Sequence, residues 1–180
     1  MYFSSFPVIP YGSTDGTVKN VTNLLRRVAI RTKVKSNAAL FDTYDIKNGE
    51  TPEIIADKLY EDPELHWVVL MVNNVTDRYH DWPMSEQQFN TYLNEKYSNP
   101  DGIYHYEISQ ESGDTTQKIE VYDPDLISSD TDAYTSATAI TNREYEESEQ
   151  DKKRKIRLLD PEFIDQFVDE FKNLMKESII

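Results

Sequence analysis

The chain has 180 residues, which suits one domain of ordinary size or a smaller domain with extended arms, and argues against a multidomain enzyme. It contains 19 Lys and Arg against 33 Asp and Glu, and the formal charge of −14 disfavours binding to nucleic-acid phosphates. The absence of Cys excludes disulfides, thiolate metal ligands and a cysteine nucleophile. With 38% hydrophobic and 29% charged residues, the sequence predicts one modest core plus segments that fold only against partners.

The N-terminal arm, residues 1–40, is basic although the chain is acidic. It carries six Lys and Arg, among them Arg26 and Arg27, against Asp15 alone, so its net charge is +5 and the rest of the chain carries −19. Such an arm suits contact with acidic neighbours or copies of the chain, and a solvated basic face explains it equally well. Four apolar residues at helical spacing predict a helix here, followed by a strand: Val21, Leu24, Leu25 and Val28.

Residues 41–83 are the best-defined block and predict a small core of one strand and two helices. The strand covers residues 43–46 and ends in a turn at Gly49, because glycine tolerates a positive φ. Residues 51–52 and 62–63 each combine an N-capping Thr or Asp with a Pro at the first helical position. The second helix is apolar nearly all round, so we expect it to be buried.

The remainder of the chain predicts an extension and an interaction helix. A Ser-x-x-Gln capping box opens a third helix at Ser85, and residues 103–108 and 118–122 alternate as a hairpin. Residues 125–152 are acidic and rich in Ser and Thr, which indicates a linker or a solvated helix. A last strand at 155–159 precedes a helix with an apolar stripe, expected to dock outward on another subunit: Phe163, Phe167, Phe171, Leu174 and Met175.

No pattern points to catalysis, a metal or a cofactor. The three His residues lack the spacing of a zinc site, and the polar group Asp77, His80 and Asp81 is typical of helix capping. Glu50 and Glu53 lie at a helix N-terminus, where the helix dipole keeps acids ionised rather than protonated. Of the two Trp residues, Trp67 is expected in the core, and Trp82, which precedes Pro83, closes the core edge or contacts a partner.

Residues 44–74 resemble a LysM module over about 30 residues. The resemblance rests on an aromatic and an aliphatic residue on a strand, a Gly-acid-Thr turn, an Ile-Ala helix and a second helix that ends in Asn. Where such modules close with a second strand, residues 75–83 run Val-Thr-Asp-Arg-Tyr-His-Asp-Trp-Pro, which removes part of the usual glycan groove. The matching positions are Tyr44, Ile46, Gly49, Thr51, Ile55, Ala56, Leu59, Tyr60, Leu70 and Asn73.

The wider pattern, best at residues 41–97 and 152–178, resembles the LysM-containing baseplate wedge subunit of contractile-tailed phages. The resemblance implies a structural protein of the virion tail baseplate, made in the host cytoplasm, that joins wedge subunits and neighbouring wedges around the hub. It implies other wedge subunits as partners, with hub or tail-tube proteins as further contacts, and neither nucleic acid nor membrane. A glycan-binding LysM module is the alternative, and a muralytic enzyme ranks third. The candidate interface residues are Trp82, Pro83, Phe163, Phe167, Phe171, Leu174, Arg26 and Arg27.

These inferences predict an α+β fold with a small LysM-like core and extended arms at both ends. The expected segments are an N-terminal arm at 1–40, the core at 41–83, a helix plus hairpin at 84–124, an acidic linker or solvated helix at 125–152, and a C-terminal strand and interaction helix at 153–180.

Overall fold

The computed structural model describes residues 2–14, 16–25, 28–30, 34, 36–109, 118–122 and 137–176. The chain divides into two compact units. The first unit combines residues 1–82 with residues 154–180, and the second comprises residues 83–153. The second unit is therefore inserted in the sequence of the first. Both mix helices with small antiparallel sheets, as an α+β fold requires.

The first unit is built on a strand-helix-helix-strand arrangement. Strand β3 (Phe41–Asp45) leads to helix α1 (Pro52–Tyr60) and, through a 3₁₀ turn at Pro63–Leu65, to helix α2 (His66–Val72). The closing strand β7 (Lys155–Leu159) comes from beyond the insertion and pairs antiparallel with β3, with Phe41 opposite Leu159. Strand β7 was predicted, but its pairing with β3 was not.

The predicted helix starts are confirmed at atomic detail. The Thr51 hydroxyl accepts a hydrogen bond from the Ile54 N–H, and the Asp62 carboxylate accepts one from the Glu64 N–H. Gly49 has a φ of 77°, so the turn before α1 needs the left-handed conformation that glycine tolerates.

Two buried apolar clusters hold the first unit together. The Trp67 cluster lies between α2, β7 and the C-terminal helix α6 (Ile164–Lys176), which follows a 3₁₀ turn at Pro161–Phe163. Its members are Phe6, Phe41, Trp67, Val68, Val72, Leu159, Phe171 and Met175. The Trp82 cluster joins the β3–β7 sheet to α1 and α2 and contains Ile46, Ile55, Ala56, Val69, Trp82, Ile156 and Leu158.

Helix α6 packs back on its own unit, and the expectation that its whole stripe docks outward is wrong. The Phe171 side chain is 3% exposed, and its ring centroid lies 4.4 Å from that of Trp67. The unit is small, and this helix supplies Phe171 and Met175 to one of its two clusters. Packing back removes that apolar surface from water without any partner.

The described part of the N-terminal arm contains a β-hairpin over residues 8–22, where a helix followed by a strand was predicted for the arm. Strands β1 (Val8–Gly12) and β2 (Val18–Thr22) pair antiparallel, and Gly16 in the connecting turn has a φ of 80°. Val21, predicted to be helical, lies on β2. A 3₁₀ turn at Tyr2–Ser5 precedes β1, and another at Ala38–Leu40 precedes β3.

The second unit contains a three-stranded antiparallel sheet, and its three strands lie between two helices in the order of the sequence. Helix α4 (Glu86–Lys96) begins at the capping box of Ser85, as predicted. Strands β4 (Ile103–Ser109) and β5 (Lys118–Val121) form the predicted hairpin, and an unpredicted third strand, β6 (Thr138–Thr141), pairs with β4 on the other side.

The acidic stretch 125–152 ends in helix α5 (Asn142–Arg154). Glu146 and Gln150 are buried in it, so this part is neither a linker nor a fully solvated helix. The preceding part of the stretch, 125–136, lies outside the described residues. A short helix, α3 (Arg78–Asp81), precedes Trp82 in the first unit. None of the helices in the described ranges is long and apolar enough to cross a bilayer.

Candidate interaction surfaces

One residue of the LysM resemblance, Tyr44, contacts a buried carboxylate, Glu50. Glu50 is 8% exposed and accepts hydrogen bonds from the Tyr44 hydroxyl at 2.8 Å, the Lys47 N–H at 2.9 Å and Lys58 Nζ at 2.5 Å. The carbonyl oxygen of Glu50 accepts from the indole N–H of Trp82 at 2.9 Å. Glu50 thus ties the β3–α1 turn to helix α1 and to the end of α3.

The ionisation of Glu50 fits a structural role rather than acid catalysis. Burial raises the pKa of its carboxyl, but the hydrogen bonds from Lys58, the Lys47 N–H and Tyr44 outweigh burial and lower the pKa overall. Glu53 shows the same balance between burial and donors, and its pKa is also lowered. A glycosidase acid must stay protonated near neutral pH, and neither carboxyl does.

Asn73 and Tyr60 cover the outer edge of strand β7. The Asn73 side chain donates to the Arg157 carbonyl at 2.8 Å and accepts from the Arg157 N–H at 2.8 Å, so it replaces a missing neighbouring strand. The Tyr60 hydroxyl donates to the Leu159 carbonyl at 2.9 Å. These two contacts explain, in physical terms, why an Asn ends α2 and a Tyr ends α1.

The other positions of the resemblance are mainly core residues. Ile46, Ile55 and Ala56 are buried in the Trp82 cluster, and Leu59 and Leu70 pack against it. Together with the capping Thr51 and the Gly49 turn, they shape the β3–α1–α2 segment.

The structure separates the candidate interface residues into buried and accessible ones. Trp82 is 7% exposed and hydrogen-bonded, so its place is in the core, while Pro83 is half-buried. On α6, Phe171 is in the core, Leu174 is 38% exposed, and Phe163 and Phe167 are half-buried. Arg26 and Arg27 lie outside the described residues.

Two apolar grooves flank the segment 28–30 on the surface of the first unit. The larger encloses about 650 Å³, and its lining includes Phe3, Val28, Ile30, Trp67 and Met71. The smaller encloses about 240 Å³ and is lined by the following residues: Val28, Ala29, Ile30, Val34, Met71, Phe167, Glu170, Phe171 and Leu174. The exposed part of the α6 stripe therefore borders an apolar depression.

The N-terminal hairpin is the second accessible apolar surface. Every residue of β1 and β2 is exposed, including Val8 at 56%, Tyr11 at 61% and Val18 at 69%. Leu25, just after the hairpin, is 94% exposed. Sequence reasoning missed this surface because it predicted a helix through Val21 and Leu25 and no hairpin before it.

The polar cluster near α3 serves as a helix cap, as predicted. Asp77 accepts from the Tyr79 N–H at 2.9 Å and pairs with His80 Nδ1 at 2.7 Å, while Asp81 accepts from the N–H groups of Thr76 and Asp77. Among the described residues, no group of three or more His, Asp or Glu side chains is arranged to hold a metal ion.

The second unit contains its own buried carboxylate, which sequence reasoning missed. Glu146 is 5% exposed and accepts from Lys96 Nζ at 2.6 Å and from the Tyr97 hydroxyl at 2.8 Å. Burial raises the pKa of Glu146, but these donors outweigh it and lower the pKa overall. Like Glu50, it links a helix to its neighbour by charge-assisted hydrogen bonds.

Comparison of the sequence with known proteins identifies one family. The family described as "Base plate wedge protein 53" matches residues 1–135 of the chain. Over 84 residues, the chain is 34% identical to the baseplate wedge protein gp53 of Enterobacteria phage T4. That alignment covers 45% of this chain and 41% of the T4 protein, so it spans less than half of either.

Proposed function

Because the chain belongs to the base plate wedge protein 53 family, we propose that it is a structural subunit of the tail baseplate of a contractile-tailed bacteriophage. The observation that carries this proposal is the family match over residues 1–135, which includes the hairpin, β3 and helices α1, α2 and α3 of the first unit. The exposed hairpin and the grooves beside 28–30 support it, because contiguous apolar surface in a monomer marks interaction sites.

In this role the chain clamps wedge subunits and neighbouring wedges together around the hub. Its partners are other wedge subunits and the adjacent wedge, with hub or tail-tube proteins as further contacts, and its place is in the virion. The +5 charge of residues 1–40 against −19 elsewhere favours contacts between arm and body regions of subunits with similar polarity.

We further propose that the first unit is a LysM-like module interrupted by the second unit. The order β3, α1, α2, β7 supports this, since β7 takes the place of the closing strand that residues 75–83 lack. A glycan-binding module is the alternative function, and the same order of elements is the observation that favours it.

The role proposed is structural, and the pKa values of Glu50 and Glu53 support it because both carboxyls are held ionised. Purified chain should not clear a suspension of bacterial cell walls above the buffer rate. Clearing that Glu50→Gln abolishes would instead establish the muralytic function, and cell-wall binding without clearing would favour the glycan-binding one.

A pair of adjacent substitutions on α6 tests the structural role. Leu174 borders the smaller groove, whereas Asn173 is exposed beside it and does not line the groove. Leu174→Glu should leave the chain folded but reduce its incorporation into baseplates, measured by complementation of a phage that lacks the gene. Asn173→Glu is the matched control and should incorporate normally. Normal growth of the phage that lacks the gene, with no chain supplied, would contradict the proposed function.

A further inference from the structure

In the described part of the chain, neither strand of the N-terminal hairpin pairs with a third strand. Strands β1 and β2 form a two-stranded sheet, and all ten of their residues are exposed. An isolated two-stranded hairpin is marginally stable in water, so a third strand or a covering surface is needed to hold it.

The pairing register shows which backbone groups of the hairpin point outward. The Ser13 N–H donates to the Thr17 carbonyl at 2.8 Å, and the Asn23 N–H donates to the Pro7 carbonyl at 2.8 Å. In an antiparallel pair, hydrogen-bonded and non-hydrogen-bonded positions alternate. Between these two hydrogen-bonded pairs, the pairs Val8–Thr22, Pro10–Asn20 and Gly12–Val18 are therefore non-hydrogen-bonded. Their six residues turn their backbone N–H and C=O groups away from the hairpin.

The two edges of the hairpin are unequal. Pro10 stands at the centre of the outward edge of β1 and has no N–H, a common device against further strand pairing. On β2, the outward residues Val18, Asn20 and Thr22 each keep both a donor and an acceptor. The edge of β2 can therefore form a continuous ladder, whereas the edge of β1 cannot.

The sheet of the first unit's core contrasts with this open edge. Asn73 and Tyr60 already occupy the outer edge of β7. On β3, the Phe41 N–H donates to the Ala38 carbonyl, which shortens the free edge. Asp42 and Asp45 are exposed along the same strand. Exposed charges of this kind discourage edge pairing. Strand β2 has no proline and carries one charged side chain, Lys19, so its edge is less protected than those of β1 and β3.

We propose that the outward edge of β2 binds an extended strand of a neighbouring baseplate subunit, with a carboxylate side chain placed opposite Lys19. Main-chain hydrogen bonds provide the affinity in this mode of recognition, and alternate side chains provide the specificity. Lys19 is the charged side chain on β2, and the arm that contains it has a net charge of +5, so the complementary strand is acidic. This inference rests on the proposed function.

A different subunit fits this edge better than a second copy of the chain. Pairing β2 with the β2 of a copy would bring two arms of +5 charge together. Pairing it with the β3 of a copy would leave part of the β2 edge unbonded, because the Phe41 N–H is already engaged.

Residue-resolved hydrogen exchange of the isolated chain and of assembled baseplates tests the pairing. The amides of Val18, Asn20 and Thr22 should exchange about 100-fold more slowly in the baseplate, while those of Val8 and Gly12 on the blocked edge should not change. Equal exchange of the β2 amides in both states would overturn the inference. Slow exchange in the isolated chain that depends on its concentration would also overturn it, since the occupant would then be a second copy.

Substitutions on the edge give an independent readout. Asn20→Pro removes one outward N–H without removing a bond to β1, and should lower incorporation into baseplates about tenfold, while Asn20→Ala keeps the N–H and should incorporate normally. Protection of the Val21 amide, which faces β1, shows whether the hairpin survives. Lys19→Glu should lower incorporation about tenfold and Lys19→Gln clearly less; normal incorporation of Lys19→Glu would overturn the acidic partner.

The two proposals can fail separately. If the chain is absent from purified baseplates, the proposed function is wrong. If the chain is present but its β2 edge exchanges freely and tolerates Asn20→Pro and Lys19→Glu, only the inference about β2 is wrong.

Discussion

At the scale of single residues, the buried Glu50 is expected to contribute to stability through its charge. It accepts hydrogen bonds from Tyr44, Lys47 and Lys58, and these hold its pKa below the ordinary value despite burial. Glu50→Gln should lower the free energy of unfolding by about 1–3 kcal/mol at pH 7, because the buried donors lose a charged acceptor. Chemical denaturation measures this loss.

The pH dependence of Glu50 follows from the sign of its shift. A carboxyl with a lowered pKa in the folded state stabilises the protein above its unfolded pKa, and this contribution is lost as pH falls through the folded value. The difference between the wild-type chain and Glu50→Gln should therefore shrink under acid conditions. Glu53→Gln is the control and should have a smaller effect, since Glu53 forms an exposed pair with Arg78. An equal loss in both variants would contradict this assignment.

Replacing the buried His105 of the second unit is expected to raise the free energy of unfolding rather than to lower it. Its side chain is 3% exposed, and among the residues that the structure describes neither ring nitrogen has a hydrogen-bond partner, since Glu107 Oε1 lies 3.6 Å from Nε2. A buried polar group without a partner costs about 1–3 kcal/mol, so His105→Phe should stabilise the second unit by about 1 kcal/mol. His80→Phe, at an exposed site, should be close to neutral. Destabilisation by His105→Phe would show that the imidazole has a polar role.

At the scale of secondary-structure elements, the direction in which α6 packs predicts the effect of shortening its side chains. Phe171 is buried against Trp67, so Phe171→Ala should lower the free energy of unfolding of the isolated chain by about 3–5 kcal/mol. Leu174→Ala, on the same helix at a 38% exposed site, should cost much less. Thermal or chemical unfolding measures both, and equal small losses would mean that α6 does not pack on the core in solution.

The elements that the sequence predicted well are those with local signals. Helices α1 and α4, and the 3₁₀ turn that leads into α2, begin where a capping side chain and a proline, or a capping box, fix the first turn. The β4–β5 hairpin follows from strict alternation in adjacent segments. Signals of this kind depend on a few neighbouring residues, so they predict the element regardless of how the rest of the chain packs.

The elements that the sequence predicted poorly depend on distant residues. Val21, Leu24, Leu25 and Val28 match a helical period, but Val21 pairs with Ile9 in the β1–β2 hairpin, and this strand pairing overrides the local period there. The pairing of β3 with β7 and the packing of α6 are contacts between segments far apart in the chain, which periodicity does not encode. The elements of the β3–α1–α2 segment could thus be predicted from the sequence, whereas the exposed edge of the hairpin could be identified only from the strand register.

At the scale of the whole molecule, the first unit is complete without the inserted one. Every member of the Trp67 and Trp82 clusters lies in residues 1–82 or 154–180. The bond from the Ile46 N–H to the Arg154 carbonyl extends the β3–β7 ladder to the point where the insertion ends. Both Trp residues of the chain are in this unit, so their fluorescence reports on it alone.

Replacing residues 83–153 by a flexible linker of about 12 Gly and Ser residues should therefore leave a folded first unit. The free energy of unfolding measured by Trp fluorescence should match that of the full chain to within about 1 kcal/mol, because the clusters are retained and the cost of loop closure varies slowly with length. The control is a chain of residues 1–82 alone, which lacks β7 and α6 and with them Leu159, Phe171 and Met175. This truncated chain should not fold. If the linker variant were as unfolded as the truncated chain, the first unit would depend on the second for its stability, and the insertion would be part of one cooperative structure.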